Sequence, residues 1–115
     1  INKSCEEAVL TGAGKIARDY AEDLKSKGCK FIDLTDKTSI YELGAVLKRC
    51  RVLISADTGT MHMGCAVGAK VAAVFYENDK LINWAPSPLN YDCALISTNQ
   101  TAENIWHNAR ELIYE

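Results

Sequence analysis

The sequence has few of the features that mark membrane-spanning, fibrous or disulfide-bonded proteins. Its 115 residues include only two prolines and an odd number of cysteines, five, with no Cys-x-x-Cys pair. This pattern predicts neither a disulfide framework nor a zinc-finger site. The longest clean apolar stretch, residues 71–76, is far below the ~18–20 residues that a bilayer-spanning helix needs. No charged-then-apolar leader opens the chain, so we expect no targeting segment.

An excess of charge of one sign is also lacking. Thirteen Lys and Arg stand against fifteen Asp and Glu, which gives a formal net charge of -2. A chain with this balance has no strong basic field to hold a polyanion, so we expect no nucleic-acid partner. With 48% apolar and 24% charged residues, the composition is typical of a compact soluble domain.

The cysteines indicate the cellular compartment, and the start of the sequence bears on the domain organisation. Cys29, Cys50 and Cys93 stand beside or inside apolar runs, where a thiol behaves as a small hydrophobic group in a reducing compartment. We therefore expect a cytoplasmic protein. The chain begins at Ile1, and a strand pattern starts within ten residues of it. We interpret residues 1–115 as one domain that belongs to a longer chain.

Apolar runs alternate with segments of helical periodicity along the chain. Strands are predicted at residues 8–10, 31–34, 52–54, 71–75 and 93–96. Helices are predicted over 16–28, after a Ser39–Glu42 capping box, over 61–67 and after Thr101, while residues 76–92 show no clear period. Together these elements predict an α/β fold with a doubly wound, mostly parallel, five-stranded Rossmann-like sheet. Ligands of such sheets bind beyond the carboxyl ends of the strands.

The turn after the first predicted strand admits two interpretations. Gly12-x-Gly14-x-x-Ala17 opens a helix, and Asp33 ends the next strand. Formally this is a dinucleotide fingerprint, in which glycines approach a pyrophosphate and the acid holds a ribose hydroxyl. The alternative is a flexible strand-to-helix turn without a dinucleotide, which any α/β domain needs. An NAD-dependent oxidoreductase fragment is therefore one hypothesis for the function.

The turn after the third predicted strand is the stronger candidate. Asp57-Thr58-Gly59-Thr60 spells the tetrad of aspartic proteases, but those enzymes are all-β, and here a helical pattern follows. If Thr60 is the N-cap, the N–H groups of the next three residues, 61–63, are free to bind an anion. The alternative is ordinary capping, with Asp57 in an Asx-turn. On spacing alone a phosphate site and a capped turn are equally supported.

Two segments carry a resemblance to a known family. Asp36-Lys37-Thr38-Ser39-Ile40-Tyr41-Glu42-Leu43 precedes Leu53-Ile54-Ser55-Ala56-Asp57-Thr58-Gly59-Thr60-Met61-His62. The pair resembles the C-terminal half of the glycosyltransferases that include the ADP-heptose:lipopolysaccharide heptosyltransferases. In that family a Gly-Lys-Thr-Ser-Leu helix start precedes an Asp-Thr-Gly-Pro-x-His loop by about twenty residues. The resemblance runs from about residue 8 to residue 96.

The resemblance implies a GT-B enzyme in which this chain is the donor-binding C-terminal domain. The donor diphosphate would lie at Thr58, Gly59, Thr60, Met61 and His62, and the nucleotide at Asp57, Thr38, Thr11, Gly12 and Lys15. The partners implied are a nucleotide-diphosphate sugar, a missing N-terminal acceptor domain and a glycan or lipid-linked acceptor. A peripheral location at the inner membrane is compatible with such an acceptor.

The resemblance also sets what this chain lacks. The base of the family lies in the N-terminal half, so no catalytic residue is expected here, and the fragment alone should be inactive. No Asp-x-Asp pair occurs, and neither a metal nor another cofactor is expected. Thr60 replaces the usual proline, and Tyr76 and Glu77 replace a Gly-Pro pair after the fourth strand. A non-catalytic nucleotide-binding α/β module is the alternative function from a different class.

Overall fold

A computed structural model describes residues 7–56, 58–75, 93–96 and 101–114 of the chain. The chain divides into two compact units, Ile1–Leu43 and Gly44–Glu115. Among the described residues, no helix is both long and apolar enough to cross a membrane. Asp57 and the predicted loop at 76–92, with Trp84 in it, lie outside the described residues.

The first unit contains one strand–helix–strand motif. It comprises β1 (Val9–Leu10), α1 (Gly14–Ser26), β2 (Ile32–Asp33) and the start of α2 (Ile40–Arg49). Strands β1 and β2 pair in parallel, with Leu10 opposite Asp33. The capping box predicted before α2 is present, because the Glu42 N–H donates to Ser39 Oγ at 3.1 Å and the Ser39 N–H donates to Glu42 Oε1 at 3.0 Å. This reciprocal pair satisfies two backbone donors and fixes the start of the helix.

The second unit is a three-stranded sheet with helices on both faces. After α2 come β3 (Leu53–Ala56), α3 (Gly59–Ala66), β4 (Val71–Val74), β5 (Cys93–Ile96) and α4 (Ala102–Tyr114). All strand pairs are parallel and the order is β3-β4-β5. Helix α4 begins where the sequence predicts, because the Asn104 N–H donates to Thr101 Oγ1 at 3.1 Å.

Strand β4 forms the centre of the core because both of its faces are covered. Val71, Ala73 and Phe75 pack into one cluster with Met61 and Cys65 of α3. Ala72 and Val74 pack into a second cluster, together with Ala109 and Leu112 of α4. Residues of a strand alternate between its two faces, so a strand covered on both sides is apolar throughout. Burial of Val71, Met61 and Phe75, each at most 1% exposed, contributes about 1.5–3 kcal/mol per side chain.

The predicted α/β class and the parallel pairing of the strands are confirmed. The chain is α/β, all described strand pairs are parallel, and five strands lie close to the predicted positions. One continuous five-stranded sheet is not confirmed, because the described strands pair in a set of two and a set of three. The helix boundaries differ by up to two residues, because α1 spans Gly14–Ser26 rather than 16–28 and α3 begins at Gly59 rather than at Met61.

Candidate functional site

Helix α3 is held closely against the sheet by a glycine. A Cβ atom at Gly64 would lie 2.6 Å from Leu53 Cδ2 and 3.2 Å from Val71 Cγ2. Only glycine therefore allows this close approach of α3 to β3 and β4 without a shift of core side chains. Met61, in the first turn, is fully buried and anchors the start of the helix in the core. Gly64 thus holds the later part of α3 against the amino ends of β3 and β4, while Met61 fixes the helix start.

The start of α3 differs from the sequence prediction. Thr58, not Thr60, is the N-cap, with extended backbone angles of φ -141° and ψ 172°. Its carbonyl accepts from the N–H groups of Met61 at 3.1 Å and His62 at 3.5 Å. Those two donors, predicted to be free, are therefore used within the helix. The N–H groups of Gly59 and Thr60 instead have no acceptor among the described residues.

The side chain of Thr58 does not cap the helix. Its Oγ1 lies 3.3 Å from Ser55 Oγ, and the Ser55 hydroxyl donates to the Ala56 carbonyl at 2.9 Å. A serine on β3 thus draws the threonine hydroxyl away from the backbone donors of α3. These donors remain open to a ligand at the positive end of the helix dipole.

The predicted diphosphate residues differ in accessibility. Thr58, Gly59 and His62 are exposed and Thr60 is half-buried, whereas the Met61 side chain belongs to the core. Four of the five residues can therefore meet a ligand with their side chains or backbone. Within the described residues, two hydroxyls, two N–H groups without an acceptor and an imidazole give a donor-rich surface, which suits phosphate oxygens.

The glycine turn of the first unit is already bound by a carboxylate of the protein itself, Asp36. Gly12 and Gly14 have φ values of +134° and +89°, as the sequence pattern of a tight turn predicts. The Gly14 N–H donates to Asp36 Oδ1 at 2.9 Å, and the Arg18 guanidinium lies 2.7 Å from Asp36 Oδ2. Asp36 itself has a φ of +59°. The guanidinium and then the N–H lower the pKa of the Asp36 carboxyl.

Asp33, the candidate ribose ligand, is also engaged within the protein. Its Oδ2 accepts from the Lys25 ammonium and its Oδ1 from the Thr35 N–H, at 2.8 Å and 2.9 Å. The Lys25 hydrogen bond, with further bonds from Thr35, holds the pKa of the Asp33 carboxyl well below its usual range. With both oxygens already accepting, this arrangement does not favour the dinucleotide interpretation.

The remaining predicted nucleotide residues lie in the first unit. Thr11 and Thr38 are half-buried and Gly12 is exposed, with Thr38 directly before the capping box of α2. The Lys15 ammonium is paired on the surface with Asp19 at 2.8 Å. Sequence reasoning did not identify Ser55 or Asp36 as functional, since their partners become apparent only in the folded chain. The one signal in the sequence is that Ser55 stands two positions before the Asp-Thr-Gly motif, whereas Asp36 is 22 positions from Gly14.

No group of His, Cys, Asp and Glu side chains within the described ranges could hold a metal ion.

Comparisons with known proteins place the chain in a wider context. A family model, glycosyltransferase family 9 (heptosyltransferase), matches residues 2–111. The fold is similar to the crystal structure of the glycosyl transferase family 9 from Veillonella parvula DSM 2008, with a TM-score of 0.70 and 19% sequence identity. The similarity covers 94% of this chain and 36% of that protein, so the chain spans about a third of its length. No curated protein matches the chain.

Proposed function

The chain belongs to glycosyltransferase family 9, and on that basis we propose that it is the donor-binding half of a glycosyltransferase. The donor would be a nucleotide-diphosphate sugar similar to ADP-heptose, used in lipopolysaccharide or related glycan synthesis. The observation that carries this proposal is the open start of α3 at Gly59 and Thr60, bordered by hydroxyls and an exposed imidazole.

The proposed role of the site is to stabilise the leaving diphosphate. Glycosyl transfer breaks the bond between the sugar and the diphosphate, and negative charge develops on the departing oxygens. Backbone N–H groups that are fixed at a helix start can stabilise that charge by hydrogen bonds without reorganising. The Gly59 and Thr60 N–H groups and the Thr60 hydroxyl would donate to these oxygens, and the Thr58 hydroxyl would join them by turning from Ser55. His62, one turn into the helix, would add one imidazole N–H.

The acceptor side of the reaction requires residues from elsewhere. A glycan or lipid-linked hydroxyl must lose a proton as it attacks, and a positioned base performs that step. We propose that an N-terminal acceptor domain supplies this base and that the fragment alone is therefore inactive. We also propose that the enzyme works in the cytoplasm, with peripheral contact to the inner membrane. Thr11, Gly12, Lys15 and Thr38 are proposed to contact the nucleotide, as is Asp57, and the proposal requires neither a metal nor another cofactor.

The two histidines of the chain provide a matched test. His62 is in the proposed site, whereas His107 lies on α4, 3.2 Å from Glu111, and both are exposed. In the full-length protein we expect His62→Ala to weaken binding of ADP or UDP about tenfold, the effect of one lost hydrogen bond to a charged group. His107→Ala should leave the affinity unchanged in a calorimetric titration.

A second pair of variants separates the transferase from an oxidoreductase fragment. Asp33→Ala removes the acid that a bound ribose would need in the dinucleotide interpretation. We expect this variant to retain the nucleotide affinity that His62→Ala loses. If Asp33→Ala abolished binding while His62→Ala had no effect, the proposed function would be wrong.

A further inference from the structure

A basic cleft opens at the amino ends of β3 and β4, the edge of the sheet opposite to Thr58. Its volume is about 330 Å³. Three cations line it, Lys48 at the end of α2, Arg51 before β3 and Lys70 before β4. The other lining residues are small or apolar and come from the ends of α2, α3 and α4. Everything that forms the cleft belongs to the Gly44–Glu115 unit.

The three cations of the cleft have no carboxylate partner. No Asp or Glu lines the cavity, and within the described ranges none of the three cations forms an ion pair. In the first unit, by contrast, four cations do so, namely Lys15, Arg18, Lys25 and Lys27. From Gly44 to Phe75 the sequence holds four Lys or Arg residues and one acid, Asp57, which follows the opposite end of β3. Within the described residues, positive charge therefore accumulates at the cleft without a carboxylate counter-ion.

Two of the cations are held in place by the fold. The Lys70 ammonium donates to the Leu112 carbonyl of α4 at 2.6 Å, and Lys70 is half-buried. The Arg51 guanidinium lies 5.8 Å from the centre of the Tyr114 ring, within the range of a cation–π contact. Side chains that are already ordered lose less conformational entropy when a ligand binds.

Helix capping alone does not account for this arrangement. A cation near a helix C-terminus is stabilised by the dipole, and Lys70 serves α4 in this way. An ammonium has three N–H donors, however, and the Leu112 carbonyl uses one of them. Arg51 lies outside the helices, and its guanidinium makes no hydrogen bond within the described part of the chain. Lys48, in the last turn of α2, is stabilised by that helix in the same way, so the dipoles offset part of the charge, and the remaining N–H donors are left for an anion.

We propose that this cleft binds a phosphate group, either of a soluble phosphate compound or of a lipid headgroup. Lys48, Arg51 and Lys70 supply the charge, with guanidinium and ammonium donors that match phosphate oxygens. The cleft is a binding site without covalent chemistry. Its thiol, Cys50, donates to the Leu47 carbonyl at 2.9 Å, and burial raises the pKa of that thiol, so the thiolate that a nucleophile needs is disfavoured.

The test uses the full-length protein at constant ionic strength, because screening alone alters exposed charges. The protein is titrated with inorganic phosphate and, in a parallel control, with sodium chloride. The backbone amide signals of residues 68–70 are followed by NMR. We expect a saturable shift of these amides. The double variant Lys48→Gln/Arg51→Gln should weaken the apparent affinity about tenfold, as expected for the loss of two charge-assisted contacts. Both side chains are exposed, so the variant should fold.

A matched control removes the same charge elsewhere. Lys30→Gln/Arg110→Gln also replaces one exposed Lys and one exposed Arg, neither of which lines the cleft, and should leave the phosphate response unchanged. If phosphate gave no saturable shift at residues 68–70, or if the two double variants responded alike, the proposal would be overturned. Shifts at residues 58–62 report the donor site separately, so the two sites are distinguished within one experiment.

Vesicles identify the source of the phosphate. Co-sedimentation with phosphatidylglycerol vesicles, compared with phosphatidylcholine vesicles, is measured for the same three proteins. Binding to the anionic vesicles that only the cleft variant loses assigns a lipid headgroup. A response to inorganic phosphate without vesicle binding assigns a soluble phosphate compound.

Discussion

At the scale of single residues, the two candidate phosphate-binding turns differ in whether their backbone N–H groups already have an acceptor within the protein. The N–H of Gly14 at the glycine turn already donates to the protein's own carboxylate, Asp36, which Arg18 also contacts. The N–H groups of Gly59 and Thr60 have no such partner in the part of the chain that the structure describes. The N–H of Gly14 is thus already engaged by the protein, whereas those of Gly59 and Thr60 are open within the described residues, and this difference supports the second turn as the proposed diphosphate site.

The paired carboxylates predict how stability depends on pH. In the folded chain the pKa of Asp33 is lowered chiefly by Lys25, and the pKa of Asp36 chiefly by Arg18. A carboxyl with a lowered folded pKa stabilises the fold above its unfolded pKa of about 3.9, and the contribution is lost as pH falls further. We therefore expect the urea midpoint to fall as the pH is lowered from about 5 to 2.

Asp33→Asn tests the largest of these contributions. The variant should be less stable than the wild type at pH 7 and should lose less stability on acidification. Asp19→Asn, an exposed carboxylate on α1, controls for the removal of one negative charge. An unchanged pH profile in Asp33→Asn would contradict the assignment.

Local partners could be predicted from the sequence, whereas distant ones could not. The Ser39–Glu42 capping box joins residues three positions apart, and a spacing of three is a sequence pattern. Asp36 and Gly14 are 22 positions apart, and Asp36 and Arg18 are 18 apart. Such pairs depend on how β1, α1 and β2 pack, so composition and periodicity carry no signal for them.

At the scale of secondary-structure elements, the contact of α3 with the sheet positions the candidate site. Gly64→Ala places a methyl group against Leu53 and Val71, 2.6 Å and 3.2 Å away, and overpacking of this kind costs about 1–3 kcal/mol. We expect a lower urea midpoint and, because α3 must shift, weaker binding of ADP or UDP.

Gly44→Ala is the matched control for that variant. Gly44 lies inside α2, where an added Cβ would meet Met63 and Val67 at 3.8 Å and 3.9 Å, which are ordinary van der Waals distances. Alanine is favoured over glycine in a helix by roughly 0.5–1 kcal/mol, so Gly44→Ala should be neutral or stabilising. Equal destabilisation by both variants would show that α3 is not held by its close approach to the sheet.

The capping box gives a second prediction at the scale of elements. Ser39→Ala removes the acceptor of the Glu42 N–H, and the loss of an N-cap costs about 1 kcal/mol. We expect a lower thermal midpoint, measured by circular dichroism. Ser26→Ala is the control, because the Ser26 hydroxyl only donates to the Asp23 carbonyl at the end of α1. No difference between the two variants would contradict a capping role for Ser39.

The start of α3 shows the limit of element prediction. Thr58 and Thr60 both have side chains that suit an N-cap, and the local sequence does not choose between them. In the structure Thr58 is extended, its hydroxyl lies near Ser55, and Met61 fills the core. The choice is made by packing across β3 and β4, so the sequence predicts the loop but not its open donors.

At the scale of the whole molecule, sequence pattern predicted the α/β class and the parallel pairing. Apolar strands that are buried on both faces, such as β4, have a pattern that distinguishes them from half-exposed strands. The continuity of all five strands in one sheet is a long-range property without such a pattern and stays a prediction. The donor, the acceptor domain and the base likewise depend on more than the third of the relative's length that this chain spans.

We propose above all that the diphosphate of a nucleotide donor binds at the start of α3. The most direct measurement is a parallel NMR titration with ADP, UDP and NAD, read at the backbone amides. We expect ADP or UDP to shift the signals of residues 58–63, and NAD to add nothing beyond its ADP moiety. Shifts centred on residues 12–17 and Asp33 that require intact NAD would rule out this site and indicate an oxidoreductase fragment.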